Sequence, residues 1–450
     1  MIQKHRQMVR GNLWNRLARD LIYDSKQLLL QGGVRIPMRS SEAATADEIL
    51  IDRVTRGTQY GAIYDPAGRR IHFEPVYIQN IVDLANRFDF PVFDKSFGAG
   101  GIAGFIETEG DGNGNEENEL RTPTLNHILQ QAMLAKKHDM PFAFVSARRL
   151  SQLEVEQVGV MTQVFDGPIF LNVSTPAGIA EVEKAREEGH YIITNHTIFD
   201  SPLTLSAPGP LEIFVQCVER KIPVMLTTQP FSGQTGPITP YGLALLAFSE
   251  FLAGMAIAYA IHPETKVVNG AYPTMCTPGR KPELKIGSVV HNFVNYLVSY
   301  TARLLDIASI QSGCTVQGKI HRNTILETDY ETIRGMILWE CIFEGWHMLR
   351  HSYGFLGDLV SFSFPKAKDD IVALRHIQSL DDDGINAVLA NNVRLNHDIQ
   401  KAKDIYENPK LIFDRDGGAI LNVIIETADS FRGDFGKHSH TLENIPAEWF

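Results

Sequence analysis

The feature that most constrains this chain is a regular alternation of helix-like and strand-like segments between residues 122 and 365. Each helix-like segment precedes a short apolar run, such as Ile169-Phe170-Leu171-Asn172-Val173 or Val224-Met225-Leu226-Thr227. Short β-branched-rich runs bounded by turn residues are typical of buried parallel strands. We count seven or eight such units over about 240 residues, the length of a (β/α)8 TIM barrel. The alternation therefore predicts an α/β fold of that type.

The remaining segments predict the boundaries of the barrel. An open doubly wound sheet is less favoured, because no Gly-x-Gly-x-x-Gly motif opens a helix in this sequence. Helical spacing over 329–350 followed by the apolar run 356–362 predicts the last β/α unit. We predict an N-terminal helical extension with a Gly-rich loop (1–121), a barrel catalytic domain (122–365) and a C-terminal helical segment that completes the barrel (366–450).

Composition and charge exclude several classes of protein. The chain has 42 Lys+Arg against 53 Asp+Glu, a net charge of −11, which argues against a nucleic-acid-binding protein. It has no apolar run long enough for a membrane span, and its start lacks the apolar stretch of a signal peptide. We therefore expect a cytoplasmic protein. The four cysteines lie far apart without a Cys-x-x-Cys pair, so neither a metal site nor a disulfide framework is predicted.

Barrel enzymes carry their active sites on the loops that follow the strands, which selects the candidate residues. The loop Thr228–Pro240 is rich in glycine and small polar residues and contains Gln229 and Phe231. Its last residues also fit a helix start, with Thr239 as N-cap and Pro240 in the first turn. The loop after 266–270 contains Tyr272.

The loop after 307–311 is basic, since it holds Lys319, His321 and Arg322 within four positions. It fits either a phosphate site, which barrels often build late in the strand order, or an exposed basic loop. Aromatic residues near predicted strand ends, including Phe231, Tyr272 and Trp346, fit either core packing or cation–π binding of an organic cation.

Several of these motifs together resemble the trimethylamine methyltransferase family. The most specific are the loop after the 224–228 strand and the tail near the C-terminus. The motifs are 222–239, Leu252-Ala253-Gly254, Val267-Val268-Asn269-Gly270, Ser312-Gly313-Cys314-Thr315 with Lys319, 433–444 with Trp449, Phe97-Gly98-Ala99-Gly100-Gly101 and Arg121-Thr122-Pro123-Thr124. The resemblance spans roughly residues 20–450.

The resemblance implies a TIM barrel that moves a methyl group from a methylated amine to a separate corrinoid protein. The chain would bind no cofactor permanently, because the partner would supply the cobalamin whose cobalt(I) is the nucleophile. A homo-oligomer is implied by the same analogy. Trimethylamine enzymes of the family carry pyrrolysine, which this chain lacks. Relatives without pyrrolysine include glycine betaine demethylases, so a quaternary amine is the favoured substrate.

A quaternary ammonium leaves as a neutral tertiary amine and needs no proton donor, so the protein chiefly has to position its substrate. Two alternatives stay open: direct methyl transfer to tetrahydrofolate, and a non-catalytic methylamine-binding relative. If the substrate is a betaine, its carboxylate needs a donor, for which Lys319, His321 and Arg322 are candidates. We predict Gln317 and His321 as catalytic residues and Gln229, Phe231, Tyr272, Lys319 and Trp346 as substrate-binding residues.

Overall fold

The structure is a computed structural model. It describes residues 2–37, 41–55, 61–85, 96–97, 105–108, 119–145, 153–277, 284–312, 348–356, 361–379, 383–384, 387, 393–413 and 424–425. Within these ranges, helices and short strands alternate from residue 125 onwards, as the sequence pattern predicts.

The helices are α1 (Ile2–Gly32), α2 (Ser41–Thr55), α3 (Pro75–Ala85), α4 (Leu125–Lys137), α5 (Glu154–Val164), α6 (Pro176–Glu187), α7 (Pro208–Glu219), α8 (Pro240–Ile261), α9 (Val289–Leu304), α10 (Phe364–Ser379) and α11 (Val393–Glu407). The strands are β1 (Val34–Arg35), β2 (Ala62–Asp65), β3 (Arg70–Phe73), β4 (Ser96–Phe97), β5 (Phe105–Thr108), β6 (Glu119–Arg121), β7 (Ala143–Val145), β8 (Ile169–Asn172), β9 (Ile192–His196), β10 (Phe199–Asp200), β11 (Thr204–Leu205), β12 (Val224–Leu226), β13 (Val267–Asn269), β14 (Ile310–Ser312), β15 (Met348–Arg350), β16 (Phe355–Leu356) and β17 (Ser361–Phe362).

Two parallel sheets form the centre of the fold. The first contains five strands in the order β13-β12-β9-β8-β7, and the second contains three in the order β14-β15-β4. A parallel bridge between Asn269 and Ser309 joins β13 to the chain entering β14. The strands therefore follow one another in the order β7, β8, β9, β12, β13, β14, β15 and β4. In this order β15, the last of them along the chain, pairs with β4, the first along the chain. The fold is an α/β fold with a parallel sheet, as predicted.

The longest apolar helix, α8, is buried by the N-terminal segment. Its length and composition would allow it to cross a membrane, but its most apolar 18-residue stretch is 94% buried inside the protein. Helices α1, α2 and α3 pack against it from outside, and α7 and α9 flank it. The N-terminal helices thus turn an outer helix of the parallel sheet into a core helix.

The two ends of the described chain meet on the outer face of α9. The indole of Trp14 in α1 stacks on Phe293 at 5.9 Å and meets the edge of Tyr296 at 4.8 Å. Its Nε1 donates a hydrogen bond to the backbone oxygen of Tyr406 in α11 at 2.9 Å. Residues predicted as separate extensions are therefore packed against the same helix.

Three sequence-based assignments need correction. Residues 348–350, predicted as the end of a helix, form β15, and the predicted strand 356–362 supplies β16 and β17, which pair outside the parallel sheets. Phe97, predicted as the start of the Gly-rich loop 97–101, lies in β4 and pairs with β15. Strands of two or three residues are too short to show a period of their own, so helical spacing and glycine content dominated the pattern.

Candidate active site

The side chains that point inward from the middle of the parallel strands form a continuous apolar layer. Parallel strands point alternate residues to opposite faces, so one residue in two faces the interior. The inward residues form a cluster of their own: Phe142, Phe144, Phe170, Ile193, Met225, Val268, Ile310 and Met348. This layer fills the interior with side chains, as in other barrel-type sheets.

Two residues further along each strand, the inward layer becomes polar. Asn172, Asn195 and Thr227 follow the apolar layer at the carboxyl ends of three neighbouring strands, and their side chains are hydrogen-bonded in series. Asn195 Nδ2 donates to Asn172 Oδ1 at 2.7 Å, and Thr227 Oγ1 donates to Asn195 Oδ1 at 2.6 Å. Buried amides and hydroxyls joined in this way hold one another in a single orientation.

Arg350 lies at the end of this series and is 2% exposed. Its Nη1 donates to Thr227 Oγ1 at 3.2 Å and its Nη2 donates to the backbone oxygen of Gly270 at 2.9 Å. The guanidinium also lies over the rings of Phe144 and Tyr272, 5.5 and 5.8 Å from their centroids. The side chain thus reaches from β15 to the carboxyl ends of β12 and β13. We call this end of the parallel strands the mouth, and the Arg350 guanidinium its floor.

Aromatic rings surround this floor. The imidazole of His351 meets the edges of Phe144, Tyr272 and Phe355 at centroid distances of 5.3, 6.3 and 4.7 Å. Its backbone has a φ of 57°, a left-handed conformation uncommon for a residue other than glycine. Burial, followed by the charge of Arg350, lowers the pKa of His351 well below its ordinary value, so the ring is neutral at physiological pH.

The loops after β12 and β13 are joined by hydrogen bonds above the mouth. Tyr272 N donates to the oxygen of Thr228 at 2.7 Å, Thr274 N to that of Pro230 at 3.0 Å, and Ser232 N to that of Thr274 at 3.0 Å. The first loop then enters α8 through Thr239, whose side chain accepts from Gly242 N. These hydrogen bonds hold the glycine-rich loop after β12 in place against the loop after β13. The loop ends at Thr239 and Pro240, where the sequence predicts a helix start.

Helix α9 packs against Tyr272 and the residue that follows it. The Tyr272 ring meets His291 edge-on at 5.5 Å, and Asn295 Nδ2 donates to the oxygen of Pro273 at 3.0 Å. Burial lowers the pKa of His291 to about 4, so this imidazole is also neutral. A packed and uncharged support of this kind fixes the Tyr272 ring against the guanidinium.

A cavity of about 430 Å³ opens beside the polar layer, at the carboxyl ends of β8 and β9. Asn172, Asn195 and Glu154 are among its lining residues. The Glu154 carboxylate accepts from the backbone nitrogens of Ser174 and Thr175, at 2.7 and 2.9 Å, and from both of their hydroxyls. One buried carboxylate therefore shapes the loop on that side. His196 also lines the cavity, and burial lowers its pKa to about 3.

The hydroxyl of Thr227 connects the amide series to Arg350, which gives a direct test. Replacing Thr227 with valine keeps the volume but leaves Asn195 Oδ1 and one guanidinium N–H without this partner, so we expect a loss of about 1–3 kcal/mol in the free energy of unfolding. Thr301→Val is the matched control, because that buried hydroxyl bonds only within its helix, to the oxygen of Leu297. If urea unfolding showed the same loss of free energy for both variants, the hydrogen-bonded series would contribute no more to stability than a single bond within a helix.

The predicted site residues fall into two groups. Tyr272 lies at the mouth, in contact with Arg350, and Gln229 and Phe231 lie in the loop beside it. Gln317, Lys319, His321 and Trp346 lie outside the described residues, so their roles stay predictions. Four residues of this site were not predicted from the sequence: Arg350, Asn172, Asn195 and Thr227. A signal for three of them exists: each apolar run of β8, β9 and β12 ends in a polar residue that continues the inward alternation.

Three solved structures show only distant likenesses. A dihydropteroate synthase from Coxiella burnetii in complex with pteroic acid has 13% identity and a TM-score of 0.36, covering 65% of this chain and 96% of that one. The 7,8-dihydropteroate synthase of Vibrio fischeri ES114 has 13% identity and a TM-score of 0.36, covering 64% and 93%. HydG, a maturase of the [FeFe]-hydrogenase, has 9% identity and a TM-score of 0.36, covering 92% and 96%. Likeness at this level says nothing about activity.

No curated protein matches the chain. Residues 176–391, however, match the family described as trimethylamine methyltransferase (MTTB). The matched stretch begins at α6 and includes the loops after β12 and β13, two of the motifs on which the resemblance rests. It also contains Arg350 and the neighbouring rings of Tyr272, His351 and Phe355, whereas Phe144 lies before it. The match confirms the resemblance found in the sequence over residues 176–391, just under half of the chain, and identifies this part of the chain as a methyltransferase of that family.

Proposed function

We propose that this protein transfers a methyl group from a quaternary methylated amine, such as a betaine, to the cobalt(I) of a partner corrinoid protein. The observation that carries the proposal is the hydrogen-bonded polar layer, bordered by aromatic rings, at the carboxyl ends of the parallel strands. Barrel enzymes do their chemistry at that end. Family membership supplies the reaction class, because it implies methyl transfer from a methylamine to a corrinoid protein.

The proposal includes closure of the sheet into a (β/α)8 TIM barrel. Seven of the eight neighbouring pairs are parallel contacts between described strands, counting the Asn269–Ser309 bridge, and the eighth would join β4 to β7. An N-terminal extension (1–121) and a C-terminal segment (366–450) would then enclose the barrel. A cytoplasmic homo-oligomer completes the proposal.

Methyl transfer from a quaternary amine requires little acid or base catalysis from this protein. The partner's cobalt(I) supplies the nucleophile. The electrons of the breaking C–N bond remain on the departing nitrogen, which leaves as a neutral tertiary amine, so no proton is transferred. The residues of this chain would hold the ammonium in line and exclude water. A mouth of aromatic rings and neutral imidazoles fits these tasks, and an acceptor on a second protein can approach this edge of the strands.

The residues predicted from the sequence have places in this proposal. Tyr272 and Phe231 would contact the ammonium, and Gln229 would line the same side. The loop that holds Gln317, Lys319 and His321 follows β14 in the sequence, and the last residue of that strand, Ser312, pairs with Arg350. Within the proposal Gln317 and His321 are the catalytic candidates, and Lys319 and Trp346 complete the substrate-binding set.

The test combines the purified protein with cobalt(I) cobalamin and a panel of methylated amines. We expect loss of the cobalt(I) absorbance and formation of one equivalent of demethylated amine with a quaternary substrate. Trimethylamine should react poorly. Free cobalamin replaces the partner in this assay, so the corrinoid protein is added in a second series if the first reaction is slow.

The same mixtures separate the two alternatives. Demethylation with tetrahydrofolate as the only acceptor would identify a direct folate methyltransferase. Tight binding of an amine by calorimetry, without demethylation under any of these conditions, would identify a binding protein. Either result would contradict the proposed reaction.

A further inference from the structure

A buried ion pair in α10 holds the segment of chain that follows β15. Lys366 Nζ donates a hydrogen bond to Asp370 Oδ2 one turn later, and the two side chains are only 8% and 4% exposed. The same carboxylate oxygen accepts from Gly354 N at 2.8 Å, and the oxygen of Gly354 accepts from Ser363 N at 2.8 Å. Both backbone groups of Gly354 are therefore bound by α10 and by the residue that precedes it.

Gly354 lies so close to α10 that no side chain could take the place of its hydrogen. A Cβ atom there would lie 2.5 Å from the Phe362 ring and 2.9 Å from Ala367 Cβ. The residue also has a φ of 76°, a left-handed conformation that favours glycine. Steric contact and hydrogen bonds thus fix the same point of the chain against the helix.

The neighbours of Gly354 in the sequence border the mouth. The His351 ring, three residues before it, meets Phe144 and Tyr272, and it meets Phe355, the residue after Gly354, at 4.7 Å. Phe355 in turn meets Phe362 edge-on at 5.7 Å, just before α10 begins. A displacement of Gly354 would therefore move two of the rings that surround the floor of the mouth.

Stability alone does not explain the ion pair. Burying two charges costs free energy, and apolar residues of similar size are often as stable in such a position. The Asp370 carboxylate has a defined geometric function instead, because it is the acceptor for Gly354 N. Lys366 supplies the opposite charge that compensates this buried acceptor.

From this arrangement we propose that Asp370 is a positioning residue for the quaternary amine, because through Gly354 it sets the orientation of the His351 and Phe355 rings beside the ammonium. Lys366 acts through Asp370. The inference rests on the proposed function and adds α10 to the elements that determine the affinity of the mouth. Aromatic rings attract an ammonium only at short range and in particular orientations, so a small displacement of the rings weakens binding.

The experiment measures the dissociation constant of glycine betaine by calorimetry, together with KM and kcat in the cobalt(I) cobalamin assay. Lys366→Met/Asp370→Leu replaces the pair with apolar residues of similar size and removes the acceptor for Gly354 N. Its dissociation constant and KM should rise at least about 10-fold. Lys366→Met/Asp370→Asn removes both charges but keeps an oxygen that can accept from Gly354 N, so both constants should stay within about 3-fold of the wild type.

Urea unfolding of the same variants separates positioning from a loss of stability. Partial unfolding raises the apparent dissociation constant only as the folded fraction falls, so a 10-fold rise would require about nine-tenths of the protein to be unfolded. Asp369→Leu is the control, because it removes an exposed carboxylate from the same helix and should leave binding unchanged. If Lys366→Met/Asp370→Leu does not fold, Asp370→Glu replaces it, since it keeps the charge and moves the acceptor by one methylene.

Wild-type affinity in the folded variant that removes or moves the acceptor would overturn the inference. A 10-fold rise in the dissociation constant of Lys366→Met/Asp370→Asn would do the same, because it would assign the effect to the charges. Failure of the proposed function looks different. If the wild-type protein bound glycine betaine but demethylated no amine, the methyl transfer would be refuted and the dissociation constants would still decide the role of Asp370. No binding of any quaternary amine would refute both.

Discussion

Replacing Glu250 with glutamine stabilises the protein at pH 8 and above and leaves its stability nearly unchanged near pH 4. Glu250 lies fully buried in α8, where its two oxygens accept from Leu203 N and Ser201 Oγ, both at 2.9 Å. Burial raises the pKa of this carboxyl from 4.5 to about 8. A glutamine keeps both hydrogen bonds, because its oxygen can accept from Leu203 N and its amide can donate to the serine hydroxyl.

The sign of the effect follows from proton binding. The folded protein keeps the proton on Glu250 up to about pH 8, whereas the unfolded chain releases it above its usual value of 4.5. The free energy of unfolding of the wild-type protein therefore falls as the pH rises from 4.5 to about 8. Above the folded pKa it falls no further on account of Glu250. Each unit of difference corresponds to about 1.4 kcal/mol, so the glutamine variant should gain about 3–5 kcal/mol over the wild type at pH 8.

Urea unfolding of both proteins between pH 5 and pH 9 measures this difference. Glu212→Gln is the control, because it makes the same substitution at an exposed position on α7. If the free energy of unfolding had the same pH dependence in the wild type and in Glu250→Gln, Glu250 would have its ordinary pKa in the folded protein. That result would contradict a pKa raised by burial.

Replacing Glu154 with alanine costs about 2–4 kcal/mol in the free energy of unfolding and loosens the loop beside the cavity. Four donors from Ser174 and Thr175 converge on this carboxylate. Hydrogen bonds to a buried charged group contribute more than neutral ones, and the substitution removes four of them at once. Thr175 also caps α6 by accepting from Gly178 N at 3.0 Å, so the start of that helix loosens with the loop.

Glu156→Ala is the matched control, because it removes an exposed carboxylate from the same first turn of α5. Both variants lose the interaction with the helix dipole, which is worth about 0.3–1 kcal/mol. The difference between them isolates the four-donor arrangement. Hydrogen exchange at Ser174 and Thr175 should accelerate only in the Glu154 variant. Unchanged exchange there, together with equal stability of the two variants, would show that the loop does not depend on Glu154.

The central strands could be predicted because each forms an apolar run between clear turn residues. Met225 and its neighbours in β12 are flanked by Pro223 and by a glycine-rich loop, and the helix start at Thr239–Pro240 has its own chemical signature. β4 and β15 offered no such signal. A two-residue strand beside glycines and a three-residue strand at the end of a helical pattern become strands only through pairing with neighbouring strands.

The candidate site was predictable to the same extent. Tyr272 was found because it follows a recognisable strand. Arg350 was missed because the strand that carries it was assigned to a helix, where an arginine normally faces water. The polar layer of Asn172, Asn195 and Thr227 exists only when three strands lie in register, since one polar residue at the end of one strand carries no information about the other two.

The most direct test of the whole account follows the methyl group itself. The protein is mixed with cobalt(I) cobalamin and a quaternary betaine whose three N-methyl groups carry deuterium, and both products are analysed by mass spectrometry after one turnover. We expect one deuterated methyl group on the corrinoid for each dimethylated amine formed, and none in the absence of protein. Deuterium retained entirely in the betaine, with the partner corrinoid protein also present, would contradict it.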